Sequence, residues 1–283
     1  MTDTKSLLRS RNFLPLFLVQ WFGAFSDNAL KSAFGFLVVY RGVDLFGLPP
    51  ELAVTIGGGV FVVPYLLVSG IAGRLSDAVD KARVVRATRL AELVLAALAA
   101  TALIVESAPL ALLAIFLYGV QSAVFGPAKY AILPQQLPES RLTAANAWIE
   151  SSTFVGILAG MLFGGIAAGF GDTGLVAGGF AAAAVAGFVA SLFVPPAPPS
   201  AGVPPFRFAP LAATVDALRA VRRNRAVLLS VVGISWFWAV GLVVMSVFPE
   251  VAKSVLGVDQ LVANLLVGAF VVGIALGSAA ASW

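Results

Sequence analysis

Residues 21–36 read WFGAFSDNALKSAFGF and lie within an apolar run from Phe13 to Tyr40. The run is long enough to cross a bilayer, which takes about 20 mostly apolar residues in a helix. Its middle nevertheless contains Asp27, Asn28 and Lys31. Placing Asp or Lys at the centre of a membrane helix costs about 2.5–3.5 kcal/mol, against about 0.3–0.6 kcal/mol gained per Leu, Ile or Phe. These side chains must therefore face protein or water and have partners.

The spacing of these polar residues predicts one of those partners. Asp27 and Lys31 are four residues apart with the acid first, the favourable order for an ion pair on a helix. Asn28 can donate and accept hydrogen bonds beside them. We predict a polar patch that contacts a charged headgroup, because ionisable residues inside a membrane usually serve function. A salt bridge that only joins two helices is the alternative.

Composition places the whole chain in a membrane. The 283 residues are 60% hydrophobic and only 11% charged, with a mean hydropathy of +0.97. Such a chain cannot hide its apolar surface in a water-soluble core, so we predict an all-α integral membrane protein. It has no Cys and no His, which excludes disulfides, thiolate nucleophiles, Cys/His zinc sites and imidazole proton shuttles. We expect no enzyme, no cofactor or metal, and no nucleic-acid partner; membrane lipids are the expected counter-charge for the basic residues.

Hydropathy predicts eight membrane spans. They cover residues 13–40, 52–73, 84–105, 109–126, 144–170, 174–194, 226–248 and 261–282. Most of the 18 Lys and Arg residues fall on one side of the membrane if the N-terminus is cytoplasmic. Because basic residues resist translocation, the sequence predicts a multi-pass inner-membrane protein with both ends in the cytoplasm.

The connection after the sixth predicted span is rich in proline. It reads PPAPPSAGVPP at residues 195–205, which predicts a stiff, extended spacer. Leu211, Val215 and Leu218 then share a helical stripe opposite a basic face, which predicts an amphipathic helix on the cytoplasmic membrane surface. A helix merely packed on neighbouring loops is the alternative.

This connection divides the chain into three predicted parts. Residues 1–194 form a six-helix half, residues 195–225 form the linker and interfacial helix, and residues 226–283 form two helices of a second half. Six-helix halves joined in this way are typical of a large class of secondary transporters. Twelve spans need about 400 residues, so we expect the chain to be a truncated product or part of a longer protein.

A loop motif lies between the second and third predicted spans. Residues 73–86 read GRLSDAVDKARVVR and resemble the G-x-x-x-D-x-x-G-R-R/K gating loop of the major facilitator superfamily. The matching positions are Gly73, Asp77, Asp80, Lys81 and Arg83, with Asp80 where the family usually has Gly. Gly lets two helix ends approach, Asp can cap a neighbouring helix, and the basic residues can anchor the loop at lipid phosphates. By this resemblance, the partner of Asp77 lies in an eleventh helix.

Two further features lie between residues 125 and 165. Pro127 and Pro134 are expected to break the end of the fourth helix. In the fifth span Gly156, Gly160 and Gly164 recur every four residues. Small residues at this spacing let another helix pack closely, so we predict a packing face there.

Three segments sharpen the resemblance. GAFSDNALKSA at residues 23–33, FGPAKYAILPQQL at residues 125–137 and LTAANAWIESSTF at residues 142–154 resemble the lysophospholipid transporter group of the superfamily. Some members are fused to acyltransferase modules, and residues 234–257 are similar to the seventh helix of those forms. The resemblance implies movement of lysophospholipids, chiefly the ethanolamine and glycerol forms, from the outer to the inner leaflet for reacylation.

The resemblance also implies roles for single residues. Asp27 and Asn28 match the group's acidic-amide pair, and Lys129 matches the lysine of its P-A-K-Y segment. Lys129 would attract the substrate phosphate, and Asp27 would take a headgroup ammonium or hydroxyl. From its own position in the sequence, four residues after Asn146, Glu150 is interpreted as lining the cavity mouth or capping its loop. Arg89 and Glu92 are interpreted as an ion pair at the membrane interface.

We therefore predict a major facilitator bundle with a complete first half and two helices of the second. Its predicted function is lysophospholipid transport by rocking of two halves with lateral lipid entry. An amphiphile needs a polar nook beside apolar walls, and apolar residues near Trp236 and Trp238 would accept the acyl chain. Two alternatives are proton-coupled efflux of hydrophobic drugs, with Asp27 titrating, and a non-transporting module that presents lipid to a fused or associated acyltransferase.

Overall fold

The structure is a computed structural model that describes residues 7–169, 173–199, 202–203, 205–257, 269–270, 272–274 and 276–277. Within these residues the chain is helical and contains no strand. Its long helices are α1 (Leu14–Val39), α2 (Pro50–Ala78), α3 (Lys81–Ile104), α4 (Ala108–Gln136), α5 (Leu142–Gly169), α6 (Thr173–Leu192), α7 (Pro210–Arg223) and α8 (Arg225–Ser254). A 3₁₀ turn, Glu139–Arg141, precedes α5. The predicted all-α architecture is confirmed.

Several helices have the length and composition of membrane spans. Five of those in the described ranges, α2 to α6, are long and apolar enough to cross a bilayer. A sixth is added if α7 and α8 are one span broken by a bend of 112°. Helix α1 has 26 residues, or about 39 Å at 1.5 Å per residue, and the polar residues in its middle distinguish it from the other five. The eighth predicted span, 261–282, lies largely outside the described residues.

Local sequence signals explain where the helices begin. Pro15 and Pro50 lie in the first turns of α1 and α2, where a missing N–H is not needed. Ser107 accepts a hydrogen bond at the start of α4 from the Leu110 N–H, at 3.4 Å. Such side-chain acceptors satisfy N–H groups that the helix itself leaves without a partner.

The expectation that Pro127 and Pro134 end the fourth helix is wrong. Helix α4 continues through both prolines to Gln136. Prolines are tolerated in membrane helices because neighbouring helices and local adjustments satisfy the freed backbone groups. The continuation adds almost three turns, and these carry Lys129 and Tyr130.

Helices α1 to α6 pack as one bundle. Helix α1 contacts α5 and α6, α4 contacts α2 and α3, and α3 contacts α6. A Cβ atom at Gly156 would lie 2.7 Å from the Trp21 carbonyl oxygen, and Cβ atoms at Gly160 and Gly164 would collide with α1 carbonyls one and two turns further on. The predicted packing face of α5 is confirmed, and its partner is α1.

One end of this bundle gathers the α2–α3 turn, the α4–α5 turn and the start of the proline-rich linker; we call it the linker end. There the Gln136 amide donates to the Pro195 carbonyl at 2.9 Å. The Arg86 guanidinium donates to the Val194 carbonyl at 2.9 Å. The first residues of the linker are thereby attached across the ends of α3, α4 and α6.

Helix α7 lies against α2. A Cβ atom at Gly70 would be 2.8 Å from the Thr214 backbone nitrogen, and Arg74 forms a 2.6 Å ion pair with Asp216. Ala213 is buried, whereas Leu211 is 84% exposed and Leu218 is 55% exposed. One edge of α7 therefore contacts the bundle while its apolar stripe remains uncovered.

Candidate functional site

The polar residues in the middle of α1 have separate partners. The Ser122 hydroxyl of α4 donates to Asp27 Oδ2 at 2.9 Å. The Asn28 amide donates to the Ala24 carbonyl of its own helix at 2.8 Å. Lys31 Nζ lies 4.3 Å from the centroid of the Phe61 ring on α2. The predicted direct ion pair between Asp27 and Lys31 is absent from the ion pairs of the described residues, because each charge contacts a different helix.

A buried ion pair on α3 lies near Asp27. Arg89 and Glu92 of α3 pair with each other, and each side chain is only 1% exposed. The Arg89 guanidinium carbon also lies 4.6 Å from the Phe125 ring centroid. The interpretation of this pair as interfacial is wrong, since α3 turns both residues into the bundle rather than toward lipid headgroups.

Two glycines make room for the Arg89 side chain. A Cβ atom at Gly23 of α1 would lie 2.8 Å from Arg89 Nη2, and one at Gly187 of α6 would lie 3.7 Å from Arg89 Cδ. The guanidinium thus passes between α1 and α6, where a larger residue at Gly23 would displace it. Both helices depend on a side chain that α3 supplies.

Gln121 and Ser122 of α4 lie between α3 and Asp27. The Gln121 amide donates to the Thr88 carbonyl at 3.3 Å. Gln121 Oε1 lies 3.2 Å from the Ser122 hydroxyl, which also contacts Asp27. The single hydroxyl proton of Ser122 serves one acceptor at a time. Ser122 is therefore the junction between the side chain of Gln121 and the carboxylate of Asp27.

The cluster has spare hydrogen-bonding capacity. Asp27 Oδ1, Glu92 Oε1, Arg89 Nε and the Tyr118 hydroxyl are buried and have no hydrogen-bond partner within the described part of the chain. Asp27 is close enough to Arg89 and Glu92 to interact electrostatically with both. Nearly all buried polar groups in proteins are hydrogen-bonded, so four such atoms in one layer mark a region able to accept or donate further bonds.

A second charged group lies along α4. Lys129 is seven residues beyond Ser122, which places it about 10 Å along the same helix face. Its Nζ atom lies 4.4 Å from the Tyr130 ring centroid, and the Tyr130 hydroxyl donates to Glu150 of α5. The structure thus brings Lys129 and Glu150 to one region through Tyr130, apart from Asp27, Asn28 and Lys31.

Open space separates the two groups. Gly126 occupies the same face of α4 between Ser122 and Lys129, and a Cβ atom placed there would meet nothing within 4 Å. Asp27, Lys31 and Glu150 are only partly buried. The polar side chains of α1 therefore keep part of their surface uncovered, and open space adjoins Gly126 between Ser122 and Lys129. We call this space beside Gly126 the hollow.

The residues of the predicted gating loop lie at the linker end. Asp80 caps α3, accepting from the Ala82 N–H at 2.8 Å, and accepts a second bond from the Ala197 N–H at 3.1 Å. Asp77 is exposed in the last turn of α2, and Gly73 lies one turn earlier beside open space. Asp80 therefore ties the α2–α3 turn to the linker, a contact that glycine could not make with a side chain.

The two basic residues of the motif differ in environment. Lys81 is buried, with 4% exposure, and its backbone N–H donates to the Ala197 carbonyl at 2.9 Å. Arg83 is exposed. The expectation that both anchor the loop at phosphates is wrong for Lys81, because the linker start covers it.

Sequence reasoning missed several members of the polar cluster. They are Tyr118, Gln121 and Ser122 on α4. It also did not predict that Arg89 and Glu92 are buried. One signal was available: an arginine and a glutamate three residues apart inside an otherwise apolar run share a helix face. Both charges could then have been assigned to the bundle interior.

The fold and the site define a multi-pass helical membrane protein with charged side chains facing the interior of its bundle. The chain belongs to the Major Facilitator Superfamily, whose family model matches residues 16–283. It is 30% identical over 281 residues to the lysophospholipid transporter LplT of Enterobacter sp. (strain 638), covering 99% of this chain and 68% of that protein. The identity is also 30% to the transporter of the same name in Cronobacter sakazakii, over 100% of this chain and 69% of that protein.

A third relative, the lysophospholipid transporter LplT of Serratia proteamaculans, is 30% identical over 99% of this chain and 67% of that protein. The chain thus spans about two thirds of the length of these relatives. The resemblance to the superfamily and to its lysophospholipid transporter group is confirmed.

Proposed function

We propose that this protein is a secondary transporter that moves lysophospholipids across the bacterial inner membrane. The observation that supports the proposal is the open space beside Gly126, on the face of α4 that also carries Ser122, the partner of Asp27, and Lys129. A lysophospholipid headgroup has a phosphate and, in the ethanolamine form, an ammonium. Lys129 attracts the phosphate and Asp27 accepts from the ammonium or a hydroxyl, as charge-assisted hydrogen bonds.

The residues nearby complete this site. Lys31 adds a positive charge on α1, Asn28 adds an amide, and Glu150 holds Tyr130 beside Lys129. The spare oxygen of Asp27 gives the site a free acceptor, so a bound headgroup need not displace the Ser122 contact. The apolar helix surfaces around the hollow suit the acyl chain of an amphiphile. A sugar, in contrast, would need many more hydroxyl partners.

The same proposal includes topology and movement. Residues 1–194 form one half, residues 226–283 begin the second, and rocking between the halves moves lipid that enters laterally. The linker end faces the cytoplasm, as the distribution of basic residues favours. Helix α7 lies on the cytoplasmic membrane surface, where its uncovered Leu211 and Leu218 enter the headgroup boundary. The gating loop at residues 73–83 controls opening at this end.

The proposed role in the cell is delivery of lysophospholipid to an acyltransferase, fused or associated, that restores the second acyl chain. The chemistry of transport itself requires no covalent step. Proton-coupled drug efflux and lipid presentation without transport are not favoured, because the relatives are named as lysophospholipid transporters.

A leaflet-resolved assay tests the proposal. The protein is reconstituted in proteoliposomes with fluorescent lysophosphatidylethanolamine, and a membrane-impermeant quencher reads how much remains in the outer leaflet. We expect the wild type to speed translocation over empty vesicles. Gly126→Leu should slow it about tenfold or more, since the new side chain occupies the space that the headgroup needs.

The matched control is Gly178→Leu on α6, another glycine whose Cβ atom would meet nothing within 4 Å. It should translocate lipid within about twofold of the wild type, since surface substitutions away from functional features usually have small effects. Equal translocation rates for Gly126→Leu and Gly178→Leu would show that lipid does not pass through the space beside Gly126. A folded wild type that binds the lysolipid and never moves it would overturn the proposed function.

A further inference from the structure

A cavity opens between α2, α3 and α4. Its volume of about 530 Å³ lies within the range of ligand sites, about 300–1,000 Å³. The walls are almost wholly apolar and come from all three helices. They include Leu75, Val79, Val84, Ala91, Leu117 and Val124.

This cavity faces acyl chains rather than water. Ala87 and Ala91 of its lining are exposed, and they continue into Leu90 and Val94, which are 54% and 70% exposed. These residues form one apolar stripe on a helix long enough to span the bilayer. Lipid chains surround such a stripe in a membrane, so a chain can enter the cavity from the side.

A free guanidinium lies at the linker end of the cavity. Arg83, in the first turn of α3, contributes to the lining. Its side chain is exposed and has no ion-pair or hydrogen-bond partner in the part of the chain that the structure describes. The neighbouring Arg86 donates to backbone carbonyls, and Lys81 is buried. Arg83 is therefore the charge available to a phosphate at this depth.

We propose that this groove is a binding site for a membrane phospholipid, with one acyl chain between α2, α3 and α4 and the phosphate paired with Arg83. The bound lipid belongs to the inner leaflet, an assignment that rests on the orientation in the proposed function. The site is separate from the headgroup hollow, since it opens on the lipid-facing side of α3.

The groove is connected to the transport site by the hydrogen bonds of α4. Gln121 lines the groove, donates to the Thr88 carbonyl and contacts Ser122, which in turn donates to Asp27. The Ser122 proton serves either Gln121 or Asp27, so an acyl chain that moves Gln121 changes the acceptor that Ser122 can choose. Occupancy of the groove biases the orientation of Ser122 and couples the resident lipid to headgroup binding.

Photolabelling tests the site without requiring transport. Phosphatidylglycerol with a diazirine on one acyl chain is incorporated into vesicles containing the protein, and labelled peptides are located by mass spectrometry. We expect labelling of α3 and α4 around Ala87 and Val120. Ala91→Trp should reduce it about tenfold by filling the groove, whereas Ala97→Trp, on the same exposed side of α3 outside the groove, should not.

Arg83→Gln provides the headgroup arm of the experiment. It should reduce groove labelling about tenfold, the value of one charge-assisted hydrogen bond. The translocation rate of the wild type should depend on phosphatidylglycerol content, and that dependence should disappear in Ala91→Trp.

Three outcomes are decisive. Uniform labelling along α3, unchanged by Ala91→Trp, would show only ordinary boundary lipid and overturn the site. Groove labelling unchanged by Arg83→Gln would overturn the phosphate contact. Specific labelling without lysolipid translocation would support the groove while contradicting the proposed function, so the two failures are distinguishable.

Discussion

Helix α1 presents two different faces to its neighbours. Toward α5, its carbonyl groups lie directly against three glycines, with no side chain between the two backbones. Toward α3 and α4, it presents Asp27 with a single hydrogen bond to Ser122 and an oxygen that has no partner in the described structure. One face is packed backbone to backbone, and the other holds polar atoms with capacity to spare.

The difference indicates that one face of α1 serves packing and the other is available for substrate. Backbone-to-backbone contacts leave no room for an added side chain, so the α1–α5 face is sensitive to any increase in residue size. Polar atoms with free hydrogen-bonding capacity can exchange partners at small cost. A substrate headgroup is therefore expected to act on the polar face, while the glycine face holds that polar face in position. We expect substitutions at the buried charges beside the polar face to have the largest effect, those on the glycine face a smaller one, and those at an exposed ion pair the smallest.

The largest effect is expected from Glu92→Gln. This change leaves the Arg89 guanidinium buried opposite a neutral amide, and breaking a buried pair from one side costs about 3–5 kcal/mol. The free energy of unfolding should fall by that amount, measured by SDS titration in mixed micelles. A loss below about 1 kcal/mol would mean that Phe125 and nearby carbonyls already compensate the Arg89 charge.

A smaller effect is expected from Gly164→Ala on the packed face. The new Cβ atom would collide with the Ala29 carbonyl and lie 3.0 Å from the Ala29 Cα atom, and overpacking of this kind costs about 1–3 kcal/mol. The control is Gly165→Ala, whose Cβ atom would lie 3.4 Å from Ser32 Oγ and should be tolerated. The same titration compares them; equal stabilities would show that the α1–α5 contact is compliant.

The smallest effect is expected from Glu106→Gln. Arg41 and Glu106 form a 2.8 Å ion pair with side chains 39% and 44% exposed, and exposed pairs contribute about 1 kcal/mol or less. The variant makes the same Glu→Gln change as in the Arg89–Glu92 pair, but in an Arg–Glu pair that is exposed. The loss in the free energy of unfolding should therefore be several-fold smaller for Glu106→Gln than for Glu92→Gln when both are measured by the same titration. A large loss of stability in Glu106→Gln would show that ion pairing stabilises the protein regardless of burial. The expected difference between the buried and the exposed pair would then be wrong.

Several parts of the fold and site were predictable from local sequence. The helices follow from long apolar runs, and the glycine face follows from its spacing of four. The inward direction of Asp27 follows from the cost of exposing a carboxylate to lipid. The residues that contact Asp27 and Lys31 were not predictable in the same way. Lys31 meets Phe61 and Asp27 meets Ser122 because α2 and α4 pack on different sides of α1.

Long-range contacts also decided the residues that sequence reasoning misplaced. Arg89 is buried because Gly23 and Gly187, distant in the chain, leave space for it. Lys81 is covered because the linker returns to the start of α3, where Asp80 and the Lys81 N–H hold Ala197. The spacing of Arg89 and Glu92 indicates that they share a face of α3, but no pattern within α3 identifies the distant residues that make room for Arg89 or pair with the start of the helix.

The amino-acid sequence by itself determined that the chain is helical, lies in a membrane and places charges inside the bundle, because each follows from transfer free energies along the chain. Only the tertiary structure decided which atoms those charges contact, where open space remains beside Gly126, and which arginine side chains have partners. Contacts between helices depend on crossing geometry and on small residues in distant segments, and neither is encoded within a single helix.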